Sequence, residues 1–390
     1  MDDTGAGPLA GVLVADFSRV LAGPYATMLL ADLGATVVKV EPPRGDDTRN
    51  WAPPVRIDAE RGDTSTYFLS VNRGKRSIVL DLTDADDRVV AHELARRADV
   101  VVENFRTGGM ERFGLGYEQV AATNPGVVYA SITGFGSRGG AGLPGYDLVV
   151  QAVSGLMSTT GAPDGPGYRS GVAVFDVVAG LHADLGIVAA LHHRTSTGLG
   201  QHVEVNLLSS ALSGMVNQTG AVVSAGVVPH RMGNAHPSLF PYEPVDTADG
   251  QLVLAVGNDG QFAALCRVLE VPELVADARF TRNADRTVHR EALRPLLLQR
   301  LRTRTSAQWA PVLTAAGVPC GVVGTVADGL ALATELGLDP VVEVGGVPTV
   351  RHPVTFSATP AVHHLPPPNL DEHGAELRAW LTPPAAPVDE

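Results

Sequence analysis

The sequence predicts an α/β protein built on an open, parallel sheet. Short, continuous apolar runs typical of strands buried on both faces recur along the chain, and segments with helical spacing separate them. Sheets of this kind bind ligands at the carboxyl ends of their strands. We therefore expect the functional residues in the loops that follow the strands.

The first β-α-β unit lies near the start of the sequence. Its strands are GVLVADFS at 11–18 and TVVKVE at 36–41, and the segment between them has helical spacing. Pro24 near the first turn and Gly34 at the end are typical of helix boundaries. An Ala- and Arg-rich helix near 84–98 and further strands at 76–82, 99–105 and 126–136 continue the pattern.

Composition divides the rest of the chain. A shift to Pro, His and Gly around 226–241 indicates a linker, after which a second α/β segment begins. We predict a large domain over 1–225, completed by a C-terminal segment at 330–390, and a small domain with linkers over 226–329. The Pro-rich tail from Pro360 onward is expected to lie over the surface.

Charge and cysteine content narrow the partners and the compartment. The 390 residues carry a formal net charge of -13, which repels nucleic acid and anionic membranes, so we expect neither as a partner. The longest apolar run, after Gly171, is interrupted by Asp176 and Asp184. Cys266 and Cys320 have no metal-ligand or CxxC spacing, and the acidic N-terminus lacks a secretory pattern. These features predict a cytoplasmic protein.

Several familiar sites are not supported. GFGSRG at 134–139 matches G-x-G-x-x-G, but GAGLPG follows it instead of a helix, which favours a glycine-rich active-site loop over a dinucleotide site. His182, His192 and His193 lack the i, i+4 spacing and carboxylate partner of a metal site, so we expect no metal. No G-x-S-x-G motif for a serine hydrolase is present.

Two basic loops follow or precede strands on the same predicted edge of the sheet. NRGKRS at 72–77 and ENFRTGGMERFG at 103–114 together offer Lys and Arg donors that suit phosphate oxygens. A solvated turn is the alternative for the first loop. The pair of loops favours a phosphorylated ligand.

Asp176 is the only ionisable residue in GVAVFDVVAG at 171–180. A helix N-cap is the simplest role, because Asp is a favoured capping residue. A carboxylate near a helix N-terminus is expected to stay ionised at neutral pH, and it can then act as a nucleophile. The turn GNDGQF at 257–262 either presents backbone N–H groups to a developing negative charge or is a tight turn that needs positive φ.

Taken together, the segments resemble the class III CoA-transferase family, which includes formyl-CoA transferase, carnitine CoA-transferase and the succinyl-CoA:dicarboxylate transferases. The pattern is closest to the last group. The segments that carry the resemblance, in their order and spacing, are DFSRVLAGPYATMLLADLGATVVKVEPP, YFLSVNRGKRSIVLDL, DVVVENFRTGGMERFGLGY, SITGFGSRGGAGLPGYD, GVAVFDVVAGLHADLGIVAAL, TGLGQHVEVNLL and AVGNDGQF.

The resemblance implies that Asp176 is the catalytic nucleophile and that a loop containing Gly257, Asn258, Gly260 and Gln261 closes over the reacting acyl group. It implies a CoA-transferase that uses coenzyme A and acyl-CoA as substrates, with no tightly bound cofactor. The fold implied is a large Rossmann-like domain with a smaller α/β domain, in an interlinked homodimer. The residues placed against CoA are Leu21, Ala22, Asn72, Arg73, Lys75, Arg76, Asn104, Phe105, Arg112 and Phe135.

Two positions depart from family patterns. Formyl-CoA transferase has Gln where this chain has Leu21, which argues against formyl or oxalyl specificity. The related α-methylacyl-CoA racemases have His at the position of Tyr146, and two-base proton exchange loses a partner without it. A racemase or epimerase is therefore the second hypothesis, and a non-catalytic CoA-binding protein is the third.

Overall fold

The computed structural model describes residues 6–382, which divide into two units. The first unit contains the residues up to 154, 170–226 and those from 339 onward. The second contains 155–169 and 227–338. The second unit therefore includes a short segment, 155–169, that lies outside the small domain predicted over 226–329.

The strands and helices follow the predicted alternation. The strands are β1 (Leu13–Asp16), β2 (Thr36–Glu41), β3 (Val55–Arg56), β4 (Thr64–Ser65), β5 (Lys75–Val79), β6 (Val100–Glu103), β7 (Val128–Thr133), β8 (Gln201–Asn206), β9 (Tyr242–Asp246), β10 (Gln251–Ala255), β11 (Cys320–Val322), β12 (Val341–Val344) and β13 (Val347–Val350). The helices are α1 (Ala22–Asp32), α2 (Thr66–Ser70), α3 (Ala85–Arg97), α4 (Tyr117–Thr123), α5 (Asp147–Val153), α6 (Leu156–Thr159), α7 (Val174–Thr197), α8 (Leu207–Gly214), α9 (Val216–Ala225), α10 (Asp259–Val268), α11 (Glu273–Ala276), α12 (Asn283–Val288), α13 (Arg290–Leu301), α14 (Ser306–Ala315), α15 (Val326–Glu335) and α16 (Gly374–Leu381).

A six-stranded parallel sheet forms the centre of the first unit, in the order β5-β2-β1-β6-β7-β8. The register pairs Val14 of β1 with Val37 and Val100 on either side. These three side chains are almost completely buried because helices cover both faces of the sheet. The predicted open, parallel α/β sheet is confirmed.

Helix α7 packs closely against α1 and the sheet. A Cβ atom at Gly180 would lie 2.8 Å from the carbonyl oxygen of Ala22, and one at Gly186 would lie 2.6 Å from Val203 Cγ1. Glycine at position 180 therefore allows the backbones of α1 and α7 to approach closely. By length and composition α7 could cross a membrane; 39% of its most apolar stretch is buried inside the protein, including Ala183 and Ile187, and Leu185 is exposed.

The C-terminal segment is more deeply integrated than predicted. It was expected to lie over the surface, but Asp371 Oδ1 accepts a hydrogen bond from the Val79 N–H at 2.8 Å, and His373 Nδ1 accepts one from the Ser77 N–H. Helix α16 then buries Leu377 and Leu381 in the core of the first unit. These apolar residues explain the difference, because they follow the Pro-rich stretch on which the prediction rested.

The second unit is built on a three-stranded antiparallel sheet in the order β11-β10-β9. Its core packs the sheet against α10, α13 and α14 and includes the fully buried Leu252, Leu254 and Phe262. Cys266 is buried in this core and Cys320 is half-buried, and both are free thiols. This unit provides the strand-turn-helix that carries the predicted Gly257 loop.

Candidate active site

Two adjoining clefts open at the carboxyl ends of the strands of the first unit. The smaller has a volume of about 150 Å³ and is lined by Asp176, and the larger has a volume of about 520 Å³. Four residues line both clefts: Arg19, Phe105, Arg106 and Thr107. The clefts therefore form one continuous surface around the loops that follow β1 and β6.

The loop after β1 is held in place from two sides. Asn104, just after β6, accepts a hydrogen bond from the Arg19 N–H at 3.0 Å and donates one to the Arg19 carbonyl at 2.7 Å. The Val20 N–H donates to both carboxylate oxygens of Asp46. Val20 itself has a φ of 69°, which is strained for a β-branched residue. The surrounding bonds thus fix an unfavourable backbone conformation at the edge of the smaller cleft.

A buried lysine supports this loop from beneath. Lys39 Nζ donates to the Ser18 carbonyl at 3.0 Å and to Asp46 at 2.9 Å. Burial opposes its charge, but the adjacent carboxylates of Asp46, Asp16 and Glu41 outweigh burial and raise the pKa of Lys39. The lysine is therefore charged and anchors Asp46, which in turn holds Val20.

Asp176 is the third residue of α7. It is therefore not the N-cap, which was the simplest role considered for it. The N-cap is Ala173, which has no side chain that could accept a hydrogen bond. The carboxylate of Asp147, at the start of α5, takes this role: its Oδ1 accepts from the N–H groups of Phe175 at 2.8 Å and Asp176 at 3.2 Å. The side chain of Asp176 is thereby left free to line the smaller cleft.

The ionisation of Asp176 also differs from the prediction. Burial, together with the negative charge of Asp147, raises its pKa from 3.8 to about 7. The expectation of a fully ionised carboxylate at neutral pH is therefore wrong, because the helix N-terminus does not outweigh desolvation and a neighbouring carboxylate. A carboxylate of this kind is more basic, and hence more nucleophilic once ionised, than an exposed aspartate.

The phenol of Tyr67 interacts electrostatically with Asp176. Burial, followed by the charges of Asp176 and Asp147, raises the pKa of Tyr67 to about 12. Its phenol is therefore a hydrogen-bond donor throughout the neutral range. The ring of Trp51 packs edge-on against Tyr67, with centroids 5.0 Å apart.

The glycine-rich segment after β7 borders the same cleft, as predicted. Gly134 and Gly145 touch through their backbones: a Cβ atom at Gly134 would lie only 2.3 Å from the Gly145 Cα. This contact places Phe135 and Tyr146 in the lining of the smaller cleft. Glycine is needed here for a close backbone approach rather than for a dinucleotide.

The structure brings several predicted residues together around the clefts. Those that line the smaller cleft are Leu21, Ala22, Asn104, Phe105, Phe135 and Asp176, and Arg112 lines the larger one. The sequence reasoning missed Asp147, Gln151, Tyr67 and Val20. Asp147 ends the segment SITGFGSRGGAGLPGYD and Gln151 follows it with an i, i+4 spacing, which was the signal that could have identified the two residues.

The basic loop at 72–77 occupies a different place from the one predicted. Lys75 is completely buried, with Nζ donating to Asp16 at 3.0 Å, and Arg73 makes two hydrogen bonds to Asp32 at 2.9 and 2.6 Å. Asn72 is buried and accepts from Lys75, while Arg76 lies 3.6 Å from Glu376. None of the four lines either cleft. The buried carboxylates of Asp16 and Asp32 explain the positions of Lys75 and Arg73, and the proposed site includes none of the four residues.

Burial also sets the charge state of Lys75. Desolvation lowers its pKa to about 8, although Asp16 acts in the opposite direction. Asp16 keeps a lowered pKa: burial opposes its charge, but Lys75 and Lys39 outweigh it. Removing one member of a buried ion pair of this kind lowers the free energy of unfolding by about 3–5 kcal/mol. Lys75 and Asp16 therefore stabilise the fold.

In the second unit, the predicted Gly257 loop joins β10 to α10. Asn258 Oδ1 caps α10 by accepting from the Gln261 N–H at 2.9 Å, and Gln261 Oε1 accepts from the Gly257 N–H at 2.8 Å. Neither Gly257 nor Gly260 has a positive φ, so the tight-turn explanation fails for these two glycines. The N–H groups of residues 258–260, in the first turn of the helix, remain as donors. Among residues 6–382, no cluster of His, Cys, Asp and Glu is arranged to hold a metal.

The fold and the clefts define an α/β protein with the carboxyl group of Asp176 in a cleft at the carboxyl ends of its parallel strands. The model of CoA-transferase family III matches residues 9–374. The chain is 43% identical to a succinate–glutarate CoA-transferase of Agrobacterium fabrum, with 96% of each chain covered. It is 42% identical to an acetyl-CoA:oxalate CoA-transferase of Acetobacter aceti, with 97% of each covered.

A solved structure supports the same relationship. A CAIB/BAIF family protein from Brucella suis superposes with a TM-score of 0.87 at 41% identity, over 97% of this chain and all of the other. The chain therefore belongs to CoA-transferase family III. This confirms the predicted family and the predicted class of enzyme.

Proposed function

We propose that the protein moves CoA from an acyl-CoA donor to a free carboxylic acid, with Asp176 as the nucleophile. The observation that carries this proposal is the position of Asp176 in a small cleft that continues into a much larger one. The larger cleft suits the nucleotide of CoA, since Arg44, Arg106 and Arg112 in its lining can donate to phosphates. The smaller cleft then receives the pantetheine arm and the thioester.

The reaction needs neither ATP nor a redox step. The Asp176 carboxylate attacks the thioester carbonyl, the C–S bond breaks, and a mixed anhydride and CoA thiolate result. The thiolate attacks the aspartyl carbonyl, which releases the donor acid and leaves an aspartyl-CoA thioester. The acceptor carboxylate attacks this thioester, whose C–S bond breaks to give a second mixed anhydride and CoA thiolate, and the thiolate then attacks the acyl carbonyl of this anhydride. The new acyl-CoA leaves, and the Asp176 carboxylate is restored.

The Gly257 loop is our candidate for stabilising the oxyanions of these steps. The N–H groups of residues 258–260 are the remaining donors of the loop, and losing one oxyanion donor costs about 2.7–4 kcal/mol in a typical acyl-transfer enzyme. Neither Gly257 nor Gly260 is required by backbone conformation, and a Cβ at Gly257 would come no closer than 3.6 Å to the nearest atom. Space for a ligand explains glycine here better than local folding does.

For substrates, we propose dicarboxylic acids and their CoA thioesters. Two similar enzymes are named for succinate and glutarate and for acetyl-CoA and oxalate, so a panel should contain all four acids and their thioesters. Leu21 lines the smaller cleft where formyl-CoA transferase has Gln, and we therefore expect succinyl-CoA with glutarate to exceed any oxalate activity.

Covalent trapping tests the proposal. The enzyme is mixed with succinyl-CoA, treated with hydroxylamine or borohydride, and its peptides are mapped by mass spectrometry. We expect modification at Asp176 and its loss, with loss of transferase activity, in Asp176→Ala. Modification at another residue, or an active Asp176→Ala variant, would contradict the assignment. Deuterium incorporation at Cα of a 2-methylacyl-CoA without an acceptor acid would instead indicate the racemase, and CoA binding without label exchange a non-catalytic protein.

We also propose that the protein is a homodimer. Large apolar side chains are exposed on the described part of each unit, including Leu185 at 70% and Val223 at 80% in the first and Val326 at 85% in the second. Helix α15 has no buried residue at all. Faces of this kind mark association surfaces. Light scattering coupled to size exclusion should give twice the chain mass of 40.6 kDa, and a monomer at micromolar concentration would contradict the proposal.

A further inference from the structure

Asp147 and Gln151 form a buried pair at the base of α7. Asp147 is 8% exposed and Gln151 is fully buried. Gln151 Nε2 donates to Asp147 Oδ2 and to the Val172 carbonyl, and its Oε1 accepts from the Ser170 N–H at 2.8 Å. Gln151 therefore ties Asp147 to the segment that leads into the helix of the nucleophile.

The pair determines where Asp176 points. Asp147 Oδ1 accepts from the backbone N–H of Asp176 itself, as well as from that of Phe175. Because α7 has no capping side chain of its own, these bonds from α5 replace the missing cap. The backbone of Asp176 is thus held on one side by Asp147 while its side chain lines the cleft on the other.

The pair also affects the charge of Asp176. The carboxylates of Asp147 and Asp176 repel each other. This repulsion disfavours ionised Asp176 relative to its protonated and acylated forms, which carry no charge. When Asp176 attacks an acyl-CoA, its negative charge passes to the thiolate sulfur that leaves, so the repulsion disappears. Tyr67 of α2 is the titratable group that both carboxylates affect, and Tyr146, Arg19 and Arg106 line the cleft together with Asp176.

We propose that Asp147, clamped by Gln151, is a positioning residue that aims Asp176 at the thioester and favours its acylated forms over the free carboxylate. The inference rests on the proposed function, because it requires a covalent intermediate at Asp176. It goes further in assigning a role in the reaction to a carboxylate that contacts only the backbone of the nucleophile.

The charge is tested with Asp147→Asn, which keeps an acceptor oxygen. We expect the acid limb of kcat/KM to move about one pH unit lower, and the equilibrium ratio of aspartyl-CoA thioester to free enzyme to fall about tenfold. The matched control is Asp99→Asn. Asp99 also accepts a backbone N–H, from Leu13, and pairs with Arg194, but it lies at the amino end of β6 away from the cleft. Its acid limb should not move.

The clamp is tested separately with Gln151→Leu, which keeps the charge of Asp147 but releases its Oδ2. We expect kcat to fall about fivefold to tenfold with little change in KM and no shift of the acid limb. This variant decides the question of positioning even if Asp147→Asn fails to fold. A wild-type kcat in Gln151→Leu, or an acid limb unchanged or raised in Asp147→Asn, would overturn the inference.

The two levels of failure are distinguishable by mass spectrometry of the wild-type enzyme. If acyl-CoA leaves no adduct at Asp176 of the wild type, the proposed function fails. If the wild type forms the adduct and Asp147→Asn forms the same amount at the same pH, only the role of Asp147 fails.

Discussion

At the scale of single residues, the behaviour of Asp176 is set by what surrounds it. A carboxylate with a pKa of about 7 is mostly protonated at pH 6 and mostly ionised at pH 8. Because only the ionised form attacks a thioester, kcat/KM should rise with pH and level off above an apparent pKa near 7. Initial rates across this pH range, at donor concentrations well below KM and a fixed concentration of acceptor, measure kcat/KM. A profile flat from pH 5 to 8 would contradict this electrostatic description.

The same residue links stability to pH. Its folded-state pKa is raised, so between pH 3.8 and about 7 the unfolded chain ionises while the folded protein stays protonated, and folding stability falls as pH rises. Asp176→Asn removes this term. Relative to wild type, the variant should gain up to roughly 4 kcal/mol on going from pH 4 to pH 8, the equivalent of the pKa rise. Thermal unfolding of both proteins at the two pH values checks it, and a constant difference would contradict the prediction.

At the scale of structural elements, backbone contacts between loops shape the cleft. Gly134→Ala forces a Cβ into the Gly145 backbone, so the loop bearing Phe135 must move. We expect a loss of about 1–3 kcal/mol in stability and a clear loss of kcat/KM. Gly139→Ala is the matched control: it lies in the same loop, has ordinary φ, and has nothing within 4 Å of its Cβ. Equal effects of the two substitutions would contradict the contact argument.

The secondary-structure elements were predicted from the sequence more accurately than the roles of single residues. The continuous apolar runs of β1 and β2 are too short for a typical buried helix, so their length favours strands covered on both faces. Roles that depend on a partner far along the chain could not be read in the same way. Lys75 and Arg73 looked like phosphate ligands because Asp16 and Asp32, which neutralise them, lie 59 and 41 residues away. An N-cap was the simplest structural role for Asp176, but Asp147 makes the capping bonds, and a cap from another helix leaves no local pattern.

At the scale of the whole first unit, the last helix completes the core begun by the first strands. Leu377 of α16 is fully buried in the cluster that contains Ala15 and Val101. Leu377→Ala should therefore destabilise the protein by about 2–5 kcal/mol. Urea unfolding measures it, with Ala379→Ser on the exposed side of the same helix as the control. A change under 1 kcal/mol in Leu377→Ala would show that α16 is not part of the folding unit.

The strained backbone of Val20 has a consequence for attempts to make this enzyme more robust. Replacement by glycine would relieve the steric conflict at its φ of 69°, so screens for heat resistance should select it readily. The same change would let the rim of the catalytic cleft drift from the shape that Asp46 and Asn104 now impose. Val20→Gly should therefore raise the melting temperature and lower kcat.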